Sequence, residues 1–221
     1  TERKEAAMYQ TILFDLDGTL TDSGQGILNS VAFALEKMGI EETKPDHLRR
    51  FIGPPLYESF SQFYQLNPEE TQAAVDAFRI YFKEKGMFEN QLYPGIVLLL
   101  EKLKSAGKTL VIATSKPELF AKQILKHFEI DHFFDVIAGA SLDNSRISKA
   151  DVIAYALKQL GNFPQPAVMV GDREHDIEGA HMNQLPAIGV LYGYGNTEEF
   201  EKAGATCIVK NVAELSDFLL S

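Results

Sequence analysis

Apolar positions along the chain follow two rhythms. In six short stretches they run together with no alternation: "QTILFDL" (10–16), "TLVIAT" (109–114), "FFDVIAG" (133–139), "AVMVGD" (167–172), "PAIGVLY" (186–192) and "ATCIVKN" (205–211). Continuous runs of this length predict parallel strands covered on both faces. Between them, apolar residues recur at helical spacing. Pro117 reads as a first helical residue, with Phe120, Ile124 and Phe128 on one face. Ser148 reads as a cap with Asp151 three residues on; Val152, Ile153, Ala156, Leu157 and Leu160 supply the stripe and Gly161 the stop. Strand–helix alternation from residue 95 onward predicts an α/β fold, a doubly wound parallel sheet.

Residues 23–89 keep only the helical rhythm. Ile27, Val31, Ala34, Leu35 and Met38 form one face before Gly39, and Asn67-Pro68 opens a second helix carrying Thr71, Val75, Phe78 and Phe82. "HLRRFIG" and "LYESFSQFYQ" read as shorter helices, and the aromatics Phe60, Phe63, Tyr64, Phe78, Tyr81 and Phe82 as their core. The pattern predicts an all-helical insertion at 23–89 within a core made of 8–22 plus 90–221. Gly24/Gly26 and Pro94-Gly95 are the expected hinges. Met8 is expected to be the natural start, with residues 1–7 an added extension.

The first strand ends in "DLDGT", placing Asp15 and Asp17 one residue apart where burial of unpaired charge is costly and like charges repel. Other functional side chains also fall at the carboxyl ends of strands, where open parallel sheets collect their sites. "ATSK" brings Thr114, Ser115 and Lys116; "VGDREHD" brings Asp172 and Asp176; Lys149 opens the helix after "SRIS". Carboxylates crowded on one rim are stable around a hard divalent cation, and an oxygen-only set favours Mg2+. His175 adds nothing to such a site.

Charge narrows the partners. The chain of 221 residues carries a formal net charge of −10, which argues against a broad nucleic-acid surface and requires a local cation for any anionic substrate. The longest apolar run, "IVLLL" (96–100), is far too short to span a membrane. A single cysteine, Cys207, forms no internal disulfide and suits a cytoplasmic location. Oligomeric state is not written in the pattern.

Four motifs in order give these residues a family likeness: Asp15-Leu16-Asp17-Gly18-Thr19, Thr114, Lys149, and Gly171-Asp172 with Asp176 four residues on. Together they resemble the haloacid dehalogenase-like phosphohydrolases. The phosphoglycolate-phosphatase-like branch with a helical C1 cap is the nearest in pattern. The resemblance covers essentially the whole chain from Met8. It implies a magnesium-dependent phosphomonoesterase acting on a small soluble phosphate ester, phosphoglycolate or a 5′-nucleotide. Asp15 is then the nucleophile and Asp17 the acid and base, with Thr114 and Lys149 stabilising the phosphoryl group. Metal ligands are Asp15, the Asp17 backbone carbonyl and Asp172, with Asp176 holding a metal-bound water or Lys149. Ser115 and Lys116 are expected at the substrate, Lys116 having a solvated surface role as its alternative. Arg49, Arg50 and Gly53 are cap candidates for a second anionic group, the arginines having plain surface roles as their alternative. A sugar phosphomutase on the same fold and an inactive binding module are the competing readings. Against the first, motif four lacks Glu-Asp; against the second, binding alone has no use for the acid and base at Asp17.

Overall fold

The computed structural model describes residues 9–42, 44–52, 54, 56–143 and 145–221. In chain order the strands are β1 (Thr11–Phe14), β2 (Thr21–Asp22), β3 (Gln91–Leu92), β4 (Thr109–Pro117), β5 (Val136–Ala140), β6 (Ala167–Gly171), β7 (Ala187–Val190) and β8 (Cys207–Val209). Six of them form one parallel sheet in the order β5-β4-β1-β6-β7-β8, while β2 and β3 pair as a separate two-stranded ribbon. The register puts Leu13 beside Val111 on one side and Met169 on the other. All three are fully buried, each contributing roughly 1.5–3 kcal/mol by leaving water. This is why β1 reads as a continuous apolar run: both its faces are covered. The sequence reverses at β1, where β4 lies on one flank and β6 on the other, and such a switch point opens a crevice beyond the strand ends.

By its contacts the chain falls into two units, Asp22–Gln91 and the rest of the described chain. The smaller unit is helical: α1 (Gly24–Lys37), a 3-10 turn (Pro45–Phe51), α2 (Leu56–Tyr64) and α3 (Pro68–Glu84). Asn67 caps α3 through a reciprocal box with Glu70, and Pro68 takes the first turn as the sequence predicts. Phe51, Phe60, Phe78 and Phe82 are buried, with Phe51 packed on Phe60 at 4.8 Å between ring centroids. Gly24 and Gly26 both lie inside the first turn of α1. Gly26 is glycine because a Cβ there would come within 1.9 Å of the Gly86 carbonyl oxygen.

In the larger unit, α4 (Ile96–Ser105), α5 (Glu118–His127), α6 (Lys149–Leu160), α7 (Glu174–Met182), α8 (Thr197–Ala203) and α9 (Val212–Leu220) alternate with the strands. Val152, Ile153 and Ala156 of α6 and Ile177 and Ala180 of α7 pack in one buried cluster with Leu13, Val111 and Met169. Ser148 caps α6 by accepting from the Asp151 amide, which fixes where Lys149 begins its turn. Two local expectations need correction. Pro117 precedes α5 instead of opening it, because β4 runs on past an irregularity after Thr114 and pairs Pro117 with Ala140. β5 starts at Val136, not 133: Asp131–Phe133 form a 3-10 turn, and the Asp135 carboxylate accepts from the Leu110 amide just before the ladder resumes.

Candidate active site

β1, β4 and β6 lie side by side with Phe14 level with Ile112 and with Val170; β1 and β6 end there within a residue of each other, while β4 runs on. The next residues of each strand therefore share one rim. Asp15 is anchored there by its amide, which donates to the Val170 carbonyl at 2.9 Å. Asp15, Asp172 and Asp176 are buried and bring carboxylate oxygens within 4.8 Å of one another. Asp176 comes from the first turn of α7. It reaches back because residue 171 is glycine: a Cβ there would sit 2.2 Å from the Asp176 carboxyl carbon. Gly18 is constrained twice, by a φ of +80° and by the Asp172 carboxylate 2.1 Å from where its Cβ would be.

Among the described residues, one cationic side chain pairs with this cluster. Lys149, buried at the start of α6, places its Nζ 2.8 Å from Asp15 Oδ1 and 2.7 Å from Asp176 Oδ1, and donates to the Ala113 carbonyl at 3.1 Å. An ammonium has three protons, and these three acceptors match them. Burial opposes its charge, but Asp15 and Asp176 outweigh burial and hold its pKa above the ordinary lysine range. The carboxylates respond the other way. Burial raises the Asp15 pKa, with Lys149 pulling it down and Asp176 pushing it up. Asp172 is raised well above the usual carboxylate range by burial, then by Asp176 and Asp15.

The charge count then shows what fits. With all three ionised, the buried carboxylates against the Lys149 ammonium leave two negative charges uncompensated in the cluster. A divalent cation balances that count, and an all-oxygen donor set suits a hard one. Exposed His175 is outside the cluster.

Asp17 occupies a neighbouring position. Its Oδ2 lies 2.9 Å from Lys116 Nζ, while its Oδ1 is buried with no hydrogen-bond partner among the described residues. Lys116 is held near by the irregularity in β4, its amide donating to Thr114 Oγ1 at 3.2 Å. The Thr114 hydroxyl, also buried, hydrogen-bonds the Asp15 carboxylate. Ser115 is exposed at the same irregularity. Arg49 and Arg50 are exposed on the helical unit, where Arg50 stacks over the Phe63 ring at 4.1 Å from its centroid. Gly53 lies outside the described residues.

The turn after β7 is the part of the site that the apolar pattern does not announce. The Tyr194 amide donates to Asp172 Oδ2 at 2.8 Å, and the Tyr192 hydroxyl donates to the Thr19 carbonyl at 3.0 Å. Burial, followed by the Asp172 and Tyr93 charges, pushes the Tyr192 phenol far up, so it remains a donor. A backbone amide leaves no mark on residue identity; the only signal was the glycine spacing of "YGYG".

A switch-point sheet carrying an acidic rim with Lys149 buried among its carboxylates places the molecule among α/β hydrolytic enzymes. The chain belongs to the haloacid dehalogenase-like hydrolase family, whose profile matches residues 12–190. It is 42% identical over 219 residues to a 5′-nucleotidase of Pseudomonas aeruginosa, covering 99% of both chains. It is also 42% identical over 199 residues to the tyrosine-protein kinase PtkA of Mycobacterium tuberculosis, covering 90% of this chain and 68% of that relative. Among solved structures, a predicted phosphatase from Clostridium acetobutylicum superposes with a TM-score of 0.91 at 50% identity, covering 97% of this chain and 99% of that one.

Proposed function

We infer that the protein is a magnesium-dependent phosphomonoesterase that works through an aspartyl-phosphate on Asp15. One observation carries this reading: three buried carboxylates close around the Lys149 ammonium and, when ionised, leave the charge of one divalent cation unbalanced. Asp15 and Asp172 would hold magnesium with the Asp17 backbone carbonyl, and Asp176 fits better as the partner that fixes Lys149. When bound, the cation supplies charge neutralisation for the incoming phosphate dianion and its transition state.

The chain's own residues do the rest. Asp15 attacks phosphorus; a carboxyl O–P bond forms as the ester P–O bond breaks. Lys149 at 2.8 Å keeps the nucleophile ionised and oriented despite its burial. Asp17 gives its proton to the departing alkoxide. It then takes one from the water whose oxygen displaces the Asp15 carboxylate, returning the enzyme and inorganic phosphate. Lys116 at 2.9 Å fixes the Asp17 carboxylate between the two half-reactions. The Thr114 hydroxyl, the Ser115 amide and the amides beside Leu16 are donors for the non-reacting phosphate oxygens. Positioning and neutralisation are what a loose phosphoryl-transfer transition state needs.

A 5′-nucleotide is the favoured ester, since the relative covering nearly all of the chain at 42% identity is named a 5′-nucleotidase, while a phosphoglycolate phosphatase of Aquifex aeolicus stands at 30%. Arg49 and Arg50 are the candidates for recognising a second anionic or polar group of the substrate. A panel of nucleoside monophosphates, phosphoglycolate and sugar phosphates, assayed with magnesium and compared by kcat/KM, tests this. The expected order puts a nucleoside monophosphate first. Absence of hydrolysis across the panel would overturn the phosphatase reading, and label passing from a nucleoside triphosphate to protein tyrosine instead would point to the chemistry named for PtkA.

A further inference from the structure

The turn at Tyr192–Tyr194 touches two parts of the site at once. On one side, the Tyr194 amide holds Asp172 Oδ2 at 2.8 Å. On the other, the Tyr192 hydroxyl holds the Thr19 carbonyl at 3.0 Å, one residue beyond Gly18 and two beyond Asp17. Between them, residue 193 is pressed against both: a Cβ on Gly193 would fall 2.3 Å from the Gly18 carbonyl oxygen and 2.4 Å from Asp172 Cβ. Gly195 continues the close approach, with the Asp172 carbonyl oxygen 2.2 Å from where its Cβ would lie. The Tyr192 ring is itself braced, meeting Tyr93 edge-on with centroids 5.0 Å apart. None of these atoms reacts in the chemistry above, yet they determine how far the Asp15–Thr19 loop stands from Asp172.

We propose that the Tyr192-Gly193-Tyr194 turn is a positioning device that sets the separation and orientation of Asp172 and the Asp15–Thr19 loop, so that the cation site is assembled before the cation arrives. The inference rests on the cluster being a magnesium site and adds to it a source of preorganisation. Lys149 ties Asp15 to Asp176 in the metal-free protein, but no ion pair among the described residues holds Asp172, and the two other carboxylates repel its ionised form. The turn opposes that repulsion with a backbone donor aimed at one Asp172 oxygen and a phenol tied to the other strand's loop. Tyr192 and Gly193 are therefore positioning residues, acting through Thr19, Gly18 and Asp172. Outer partners of metal ligands typically change metal affinity by about 10- to 100-fold when removed.

The test is calorimetric titration of magnesium into the metal-free full chain, comparing wild type with Asp172→Asn, Tyr192→Phe and Gly193→Ala. Asp172→Asn separates the two claims: if wild type binds no magnesium, or this variant binds it equally well, the reading of the cluster as a cation site fails whatever the turn does. With that control in hand, Tyr192→Phe is expected to weaken magnesium binding about tenfold, and Gly193→Ala to weaken it further. The magnesium concentration for half-maximal hydrolysis should rise in parallel. Affinities within twofold of wild type in both variants would overturn the proposal. Should either substitution unfold the chain, hydrogen exchange on the wild-type protein decides: slow exchange of the Tyr194 amide without metal supports a preassembled site, and fast exchange that slows only on adding magnesium contradicts it.

Discussion

The two units of this chain handle polar burial in opposite ways. Among the described residues of the helical unit, the buried polar side chains are hydroxyls (Ser23, Ser30, Ser59 and Thr71), and every charged residue reaches solvent to some degree. The sheet unit buries Asp15, Lys108, Lys149, Asp172 and Asp176. Burying a hydroxyl costs far less than burying a charge: Ser30 donates to the Gly26 carbonyl at 2.6 Å, while the Ser23 and Ser59 hydroxyls have no partner among the described residues. Burying four of those five charges on one rim is destabilising by itself and persists in a fold because it serves chemistry. The difference teaches where to look: the helical unit is held by aromatic packing, and the sheet unit carries the buried charge.

The largest effect should come from Asp15→Asn. The account expects hydrolysis of p-nitrophenyl phosphate to fall by on the order of 10^4 or more in kcat, while the melting temperature in chelator does not drop, since one uncompensated charge is gone. Full activity in this variant would remove the nucleophile assignment. Next, Lys149→Met should cost about 3–5 kcal/mol of stability by leaving buried carboxylates unpaired, in addition to abolishing turnover. Phe60→Ala in the helical unit should cost a similar 3–5 kcal/mol through a cavity, but leave magnesium affinity of the folded fraction unchanged. Denaturant titrations with and without magnesium would separate the two cases, and a Phe60→Ala effect on magnesium binding would break the contrast.

Acidity gives a smaller and signed test. Asp15 and Asp172 have folded pKa values above their unfolded ones, burial being the main cause in both. Their protonated forms thus favour the fold, and that contribution is fully present below about pH 4. It is lost as pH rises through the elevated values. In chelator, this pair should therefore lower the melting temperature as pH rises above about 4. Magnesium should flatten or reverse that trend by balancing the ionised cluster. A profile in chelator that matches the one in magnesium would contradict the charge count. Smallest of all, Asn67→Ala should lower stability by about 1 kcal/mol through loss of the α3 cap, with no change in the pH profile of activity.

Much of this was legible from residue order because strand ends and carboxylates are both visible in sequence. Asp15, Asp172 and Asp176 are brought together with Lys149 because a parallel sheet aligns the ends of β1 and β6 and the helices that follow. The misses have physical reasons of their own. Pro117 looks like a helix opener, but β4 runs on past an irregularity after Thr114 and ends at Pro117, three residues beyond the expected end. That α1 already begins at Gly24 is not visible in its glycines, and the close approach that requires glycine at 26 comes from Gly86, 60 positions away. The Tyr194 amide is invisible for a deeper reason, since every residue but proline has one.

The central claim is that the buried carboxylate trio is a divalent-cation site. Crystals grown with manganese in place of magnesium, examined by anomalous scattering, test it most directly. The account predicts a single strong peak within bonding distance of Asp15 and Asp172 oxygens, absent in Asp172→Asn. No peak at that rim, or a peak elsewhere that survives the substitution, would contradict it.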